Sequence, residues 1–292
     1  MFLTRSTRAY GFALLSFVFY STHDAIIKAV GAEISVVQIM FFGSTFSLVF
    51  MAAFVFVTKT KINFRPRHPW LMLIRVALTL ITQGAAFYAF TLLPFSEVYA
   101  LLFITPLLIT AWSVPLLGEH VGLPRWVAVF VGLAGVLVVL RPGIEALTIG
   151  HIAALTSALG ASLAMIIVRK VSNVEERMVV IVYPLLASTL LMGALLPTVF
   201  VPMSAATTGG LMSVGALFFI AQLCVIAAYR MAPSVALIAP VQYTQIIWAA
   251  LFGALFFNEY PDIWVLIGAA IIIGSGLFVV WRETKATARA AK

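Results

Sequence analysis

The stretch GVLVVLR, from Gly135 to Arg141, returns near the end of the chain as GLFVVWR, from Gly276 to Arg282. Working outward from this match, further residues recur at almost the same separation. They are Gln83 and Gln222, Ala89 and Ala228, Pro94 and Pro233, Ala100 and Ala239, and Gly11 and Gly150, each 139 positions apart, and Glu119 and Glu259, 140 apart. Residues 1–140 and 150–282 therefore read as two copies of one pattern, which is typical of transporters built around a site at the membrane midplane.

The composition is that of an integral membrane protein. Of the 292 residues, 63% are hydrophobic and only 10% are charged, and the mean hydropathy is +1.12. A soluble domain of this size carries about 25% charged residues, so we expect almost no soluble portion. The single cysteine, Cys224, excludes an internal disulfide and a cysteine zinc cluster.

The hydropathy pattern predicts ten transmembrane helices and hence an all-α fold. A helix needs about 20 apolar residues to cross the hydrocarbon core. Ten segments meet this requirement, with short connections between them: 9–29, 34–57, 70–92, 96–116, 124–141, 149–169, 178–201, 208–230, 234–257 and 262–282.

The positive charges predict which side of the membrane each connection faces. With the N-terminus placed in the cytoplasm, 16 of the 18 Lys and Arg residues fall on the inner side, and only Lys28 and Arg141 fall on the outer side. The positive-inside rule thus predicts that both termini are cytoplasmic. The same distribution accounts for the pI of about 9.9, so nucleic acid is not an expected partner.

Each copy of the repeat contains five predicted spans, and an odd number inverts the second copy in the membrane. The two outer charges fit this prediction, because Lys28 aligns with Arg169 and Arg141 with Arg282, each 141 positions apart. We therefore expect a first five-helix repeat over residues 1–145 and a second, inverted one over 146–292.

The first span carries the most informative polar residues. Ser16, Tyr20, His23, Asp24 and Lys28 share one helical face. Polar groups at membrane depth usually face the bundle interior or a water-filled cavity. His23 and Asp24 are therefore candidates for substrate contact or proton coupling, or else form a local His–Asp–Lys network near the outer interface.

Four other spans carry candidate substrate-binding residues. Gln83 and its repeat partner Gln222 lie near the midpoints of spans three and eight, where each amide either binds substrate or bridges helices. In span four, Tyr99 shares a face with Phe103 and Pro106, and Pro106 frees a backbone carbonyl near the midplane. Span nine carries amides and aromatic rings that suit a ligand with an apolar body, or that only pack between helices: Gln242, Tyr243, Gln245 and Trp248.

Motifs for several other classes are absent from the sequence. The chain contains no P-loop, no HExxH, no GxSxG, and no haem or iron–sulfur pattern. We therefore expect no enzyme activity, no cofactor and no metal site.

The paired segments YAFTLLPFSEVYALLFITPLL and AAYRMAPSVALIAPVQYTQII, together with the GE and NE dipeptides before spans five and ten, resemble the drug/metabolite transporter superfamily. More narrowly, the chain resembles its EamA-type exporters, including bacterial exporters of aromatic amino acids. The resemblance implies a monomer in the bacterial inner membrane, surrounded by lipid, with a central cavity lined by spans one to four and six to nine. It also implies export of aromatic and other large neutral amino acids.

The resulting hypothesis is a secondary transporter that exports amino acids by alternating access. Its cavity would be lined by the candidate residues Tyr20, His23, Gln83, Tyr99, Gln242, Tyr243, Gln245 and Trp248. The principal alternative is a proton-coupled efflux transporter of drugs or metabolites that uses His23 and Asp24. A lipid-modifying membrane enzyme and a facilitator that only equilibrates its substrate are further hypotheses.

Overall fold

The structure is a computed structural model that describes residues 2–59, 65–144, 146–171, 177–232 and 238–290. The described chain is built from helices: α1 (Phe2–Val30), α2 (Val36–Thr58), α3 (Pro69–Leu92), α4 (Phe95–Leu102), α5 (Thr105–Leu117), α6 (Leu123–Leu140), α7 (Ile149–Val171), α8 (Arg177–Val199), α9 (Ala205–Met231), a 3-10 helix (Ala239–Thr244), α10 (Gln245–Phe257) and α11 (Ile263–Ala290).

Ten segments of the described chain are long and apolar enough to cross a membrane, so the prediction of an all-helical, ten-span membrane protein is confirmed. Observed and predicted boundaries differ by a few residues, which is the ordinary uncertainty of helix ends. The predicted start of span nine, at residue 234, lies outside the described residues.

Spans four and nine are each made of two helical pieces. In span four, α4 ends at Leu102 and α5 begins at Thr105, with Pro106 in its first turn. Proline has no N–H for the Leu102 carbonyl, and the Thr105 hydroxyl donates to that carbonyl instead, at 2.7 Å. In span nine the 3-10 helix precedes α10, and the Thr244 hydroxyl donates to the Val241 carbonyl at 2.7 Å. Threonine hydroxyl groups therefore donate to backbone carbonyls at the points where the regular α-helical hydrogen bonding of spans four and nine is interrupted.

The helices pack in pairs. The α1 helix packs along α9, α3 along α7, α2 along α8 and α9, and α6 along α11. The α6–α11 contact is close enough to require glycine, because a Cβ on Gly135 would lie 3.0 Å from the Gly268 carbonyl oxygen. This pair forms a tightly packed side of the bundle.

The bundle has two ends, called the terminal end and the Glu259 end. The terminal end carries the start of α1, the ends of α2, α5, α7, α9 and α11, and the starts of α3, α6 and α8. The Glu259 end carries the ends of α1, α3, α6, α8 and α10 and the starts of the helices that follow them. Glu119 and Glu259 follow left-handed C-cap residues, Gly118 with φ +69° and Asn258 with φ +54°. Glycine and asparagine tolerate this conformation, so each glutamate is set at a defined helix end.

Candidate functional site

A cavity of about 320 Å³ lies among α1, α3, α8 and α9. It reaches from Asp24, in the last third of α1, to Arg75 and Val180, near the starts of α3 and α8 at the terminal end. The lining residues are Tyr20, His23, Asp24, Arg75, Thr79, Thr82, Gln83, Phe87, Val180, Ile181, Pro184, Leu185, Phe218 and Gln222. An elongated, mostly apolar cavity with a few polar groups is typical of a small-molecule site.

Aromatic rings form the wall around His23. The centroid of the His23 ring lies 6.0 Å from that of Phe87 and 6.0 Å from that of Phe218. Tyr20 meets Phe218 edge to face, with centroids 6.3 Å apart. Rings at these separations and angles present both faces and edges to a ligand.

Asp24 is the centre of a hydrogen-bond network that joins three spans. Its Oδ1 lies 2.8 Å from His23 Nδ1, and its Oδ2 accepts the Tyr99 hydroxyl at 2.6 Å. The Tyr99 oxygen in turn accepts from Gln245 Nε2 at 3.2 Å and lies 3.4 Å from the Ser21 hydroxyl. The side chains of His23 and Asp24 are 8% and 18% exposed, so the network lies at the edge of the cavity and is not sealed off from it.

The Glu259 end is held together by interactions between different spans. Lys28 Nζ lies 2.9 Å from Glu259 Oε1 and donates to the carbonyls of Phe90 and Leu93, at 3.1 and 2.7 Å. Glu259 Oε2 accepts the backbone N–H of Phe95 at 2.8 Å. Two further ion pairs lie at this end, His151 with Glu97 at 2.8 Å and Arg141 with Asp262 at 2.6 Å.

At the terminal end, the repeat counterpart of the Lys28 pair is also formed. Arg169 Nη2 lies 2.8 Å from Glu119 Oε1. The side chains of Arg169 and Glu119 are 41% and 37% exposed, compared with 10% for Lys28 and 27% for Glu259. The two ends therefore differ in how deeply their paired charges are buried.

The structure brings together part of the predicted site. Tyr20, His23, Asp24 and Gln83 line the cavity. Tyr99 and Gln245 lie behind Asp24 and reach it through the hydrogen bonds described above.

The other predicted residues of span nine are not among those that line this cavity. Tyr243 is buried against Phe103, with ring centroids 5.2 Å apart. Trp248 packs on Phe252 at 6.1 Å, and Gln242 is half-buried in the 3-10 helix. Among the described residues, no cluster of three or more His, Cys, Asp and Glu side chains could hold a metal ion.

Among the lining residues that were not predicted from the sequence are Arg75, Phe87 and Phe218. The positive-inside pattern uses Arg75 only as a charge on the inner side, although Arg75 lies within predicted span 70–92. A charge inside a span is itself a signal of a functional residue. The two phenylalanines carry no comparable signal, because apolar aromatic residues occur throughout the spans.

Comparison with known proteins shows that the chain is similar in sequence to membrane transporters. Residues 7–141 match the EamA-like transporter family. The chain is 26% identical over 279 residues to an S-adenosylmethionine uptake transporter of Rickettsia conorii, covering 96% of this chain and 94% of that protein.

Two other relatives have different cargo. The chain is 28% identical over 222 residues to a riboflavin transporter of Rhizobium johnstonii, covering 76% of this chain and 73% of that protein. It is 22% identical over 263 residues to a pseudopaline exporter of Pseudomonas aeruginosa, covering 89% and 92%. A solved crystal structure, 19% identical, superposes with a TM-score of 0.63 over 94% of this chain and 98% of that one, which shows a shared fold.

Proposed function

We propose that this chain is a membrane transporter of the EamA type, because residues 7–141 match that family, and that it transports amino acids and larger metabolites that carry an amino acid group. The observation that carries the proposal is the Asp24 carboxylate, set at the edge of a central cavity beside a wall of aromatic rings. Large neutral and aromatic amino acids, moved outward by alternating access, are the first substrates to test.

The polar groups beside Asp24 suit an amino acid head group. Each carboxylate oxygen has two lone pairs, and His23 and Tyr99 together use one on each oxygen. The remaining lone pairs can accept an ammonium group, and the Gln83 amide is a further donor and acceptor on the cavity wall. A charge-assisted bond to Asp24 is stronger than a neutral one.

The aromatic wall suits an apolar or aromatic substrate body. Phe87, Phe218 and Tyr20 surround the space next to His23, where a ring can stack or meet an edge. The Rickettsia relative carries S-adenosylmethionine, which combines an amino acid group with an aromatic base. This likeness supports a substrate of the same chemical type.

Alternating access rests on the proposed inverted repeat of residues 1–145 and 146–292. The observed helix pairs support it, because the repeat exchanges the α1–α9 pair with the α3–α7 pair and maps the α6–α11 pair onto itself. The broken spans four and nine are also repeat partners. We further propose that both termini are cytoplasmic, that the membrane is the bacterial inner membrane, and that the chain works as a monomer in lipid.

Uptake of radiolabelled phenylalanine, threonine and lysine into proteoliposomes tests the proposal, with unlabelled S-adenosylmethionine as a competitor. We expect saturable phenylalanine uptake, weaker threonine uptake and no lysine uptake, because lysine carries two ammonium groups and the described lining of the cavity offers one carboxylate, Asp24. Asp24→Asn should reduce phenylalanine uptake about tenfold through loss of a charged hydrogen bond. Asp262→Asn, the same change at the Glu259 end outside the cavity, is the matched control. Uptake of none of the three amino acids overturns the proposal.

Proton-coupled efflux of drugs or metabolites is a second candidate, favoured by the 2.8 Å contact between His23 and Asp24 at the cavity edge. It predicts that an imposed pH gradient drives accumulation against concentration. Asp24→Asn would then abolish the gradient-driven accumulation but leave exchange of labelled for unlabelled substrate intact. Loss of both activities together favours direct substrate binding by Asp24.

A further inference from the structure

Arg75 carries a guanidinium group on the wall of the cavity, within a membrane span and near its terminal end. It follows the start of α3 at Pro69 by six residues, which is about 9 Å of helix rise. Its Nη1 donates to the Val180 carbonyl of α8 at 2.5 Å. Its Nε is buried and has no hydrogen-bond partner.

Arg75 has no carboxylate partner among the residues that the structure describes. The ion pairs among the described residues involve Lys28, Arg141, Arg169 and two histidines. The carboxylate of Asp24, which lies at the cavity, is hydrogen-bonded to His23 and Tyr99. A charge inside a span is costly unless another charge or a polar cavity compensates it. A cavity arginine with unused donors is therefore suited to an anionic ligand, since its planar fork matches a carboxylate.

Arg75 is too far from Asp24 for both to hold one amino acid head group. The ring of Phe87 packs on His23, so residue 87 marks the level of the His23–Asp24 pair on α3. Arg75 lies 12 residues before Phe87, about 18 Å along the helix. An α-amino acid carries its ammonium and carboxylate on one carbon. The two charged groups must therefore belong to two subsites.

We propose that Arg75 is a carboxylate-binding subsite at the mouth of the cavity, separate from the subsite at His23 and Asp24. This inference rests on the proposed function and adds to it a second subsite, which binds the carboxylate of the substrate. Thr79 and Gln83 follow Arg75 on the same face of α3, at intervals of four residues, and line the path between the two subsites. A small amino acid would occupy the subsites in turn. A longer molecule would place its carboxylate at Arg75 and its ring among Phe87 and Phe218.

Chemical protection of Arg75 tests the subsite whether or not the protein transports these compounds. Phenylglyoxal modifies arginine, and mass spectrometry of the purified full chain reports the modified fraction at each position. Phenylalanine, phenylacetate and S-adenosylmethionine should slow modification of Arg75 about tenfold at saturation, whereas phenylalaninamide and phenylacetamide should not. Arg125, at the same end but outside the cavity, is the internal control. Equal protection by acids and amides, or none, overturns the subsite.

Competition for phenylalanine uptake gives a second readout. In the wild type, phenylalanine should compete at least about tenfold better than phenylalaninamide, because a charged hydrogen bond is lost with the carboxylate. Arg75→Gln should remove that difference. Arg75→Lys, which keeps the charge and the fold but not the planar fork, should retain part of it. An unchanged preference in Arg75→Gln overturns the subsite but leaves the proposed function standing. Absence of wild-type uptake counts against the proposed function alone.

Discussion

Two ion pairs at opposite ends of the molecule have almost the same length and very different surroundings. Lys28 and Glu259 are 2.9 Å apart with side chains 10% and 27% exposed, whereas Arg169 and Glu119 are 2.8 Å apart with side chains 41% and 37% exposed. The sequence repeat relates one pair to the other. The difference teaches that burial and neighbouring groups, rather than distance, decide what such a pair contributes.

The neighbours make the contrast stronger. Lys28 also binds the last carbonyls of α3, and Glu259 also binds the first N–H of α4, so this pair ties four spans at one point. The Arg169–Glu119 contact joins the end of α7 to the residue after the α5 cap. We therefore expect the Glu259 end to be the closed side of the resting protein, and the cavity to open at the terminal end.

Exchanging the two charges should separate the pairs most clearly. In Lys28→Glu with Glu259→Lys, a carboxylate would face the Phe90 and Leu93 carbonyls and an ammonium would face the Phe95 N–H. We expect a loss of more than about 3 kcal/mol in the free energy of unfolding, the scale of a broken buried pair, measured by denaturant titration in detergent. The exchange Arg169→Glu with Glu119→Arg should stay within about 0.5 kcal/mol of wild type. Equal losses would remove the distinction.

Removing one charge should have the next largest effect. Glu259→Gln leaves Lys28 buried without its counter-charge, and we expect a loss of about 3 kcal/mol in the free energy of unfolding. Glu119→Gln, the same change at the repeat position, should cost about 0.5 kcal/mol, the scale of an exposed ion pair, because the Arg169 side chain is 41% exposed. The comparison fails if Glu119→Gln is the more damaging variant.

Accessibility of the cavity should change with the Glu259 pair. In a Cys224→Ala background, the variant Thr79→Cys should react with an impermeant maleimide from the terminal side only. Adding Glu259→Gln should raise labelling from the opposite side several-fold, because the closed state loses a stabilising contact that the open state lacks. Adding Glu119→Gln is the control. Strong labelling from the Glu259 side in the parent variant would show that the resting protein is open there.

Raising the salt concentration should have the smallest effect on the two ion pairs, and it should weaken the exposed pair more than the buried one. Raising ionic strength from about 0.1 to about 1 M shortens the Debye length from about 10 to about 3 Å, which screens exposed charges more than buried ones. The double-mutant coupling energy of Arg169 with Glu119 should fall towards zero, while that of Lys28 with Glu259 should keep most of its value. Parallel losses would indicate that both pairs are equally hydrated.

Most of the fold could be predicted from the sequence, because the bilayer imposes length and hydropathy on each span. The ten spans and the placement of Glu119 and Glu259 at helix ends required no tertiary information. The break in span four was signalled by Pro106, but the 3-10 geometry of span nine was not, since Pro240 alone does not specify the type of helix.

The candidate site was predictable only in part, because helix rotation and neighbouring spans decide which side chains meet. Tyr20, His23 and Asp24 share a helical face, which grouped them from the sequence alone, and all three line the cavity. The link from Asp24 through Tyr99 to Gln245 depends on how three spans pack, and no spacing within one span reveals it. Phe218 reaches His23 because α9 packs along α1, which is again a tertiary contact.

The hydrogen bonds of Tyr99 have a directional consequence. A phenol has one proton, and here it points to Asp24, which leaves the oxygen to accept from Gln245. Neutralising Asp24, by a bound proton or by a cationic group, weakens the acceptor that holds this proton in place. The hydroxyl can then rotate, and the Gln245 amide loses a fixed partner. The Tyr99 proton thus sets the direction of a chain of hydrogen bonds across spans one, four and nine. A change in the charge of Asp24 therefore alters hydrogen bonds in both broken spans, four and nine.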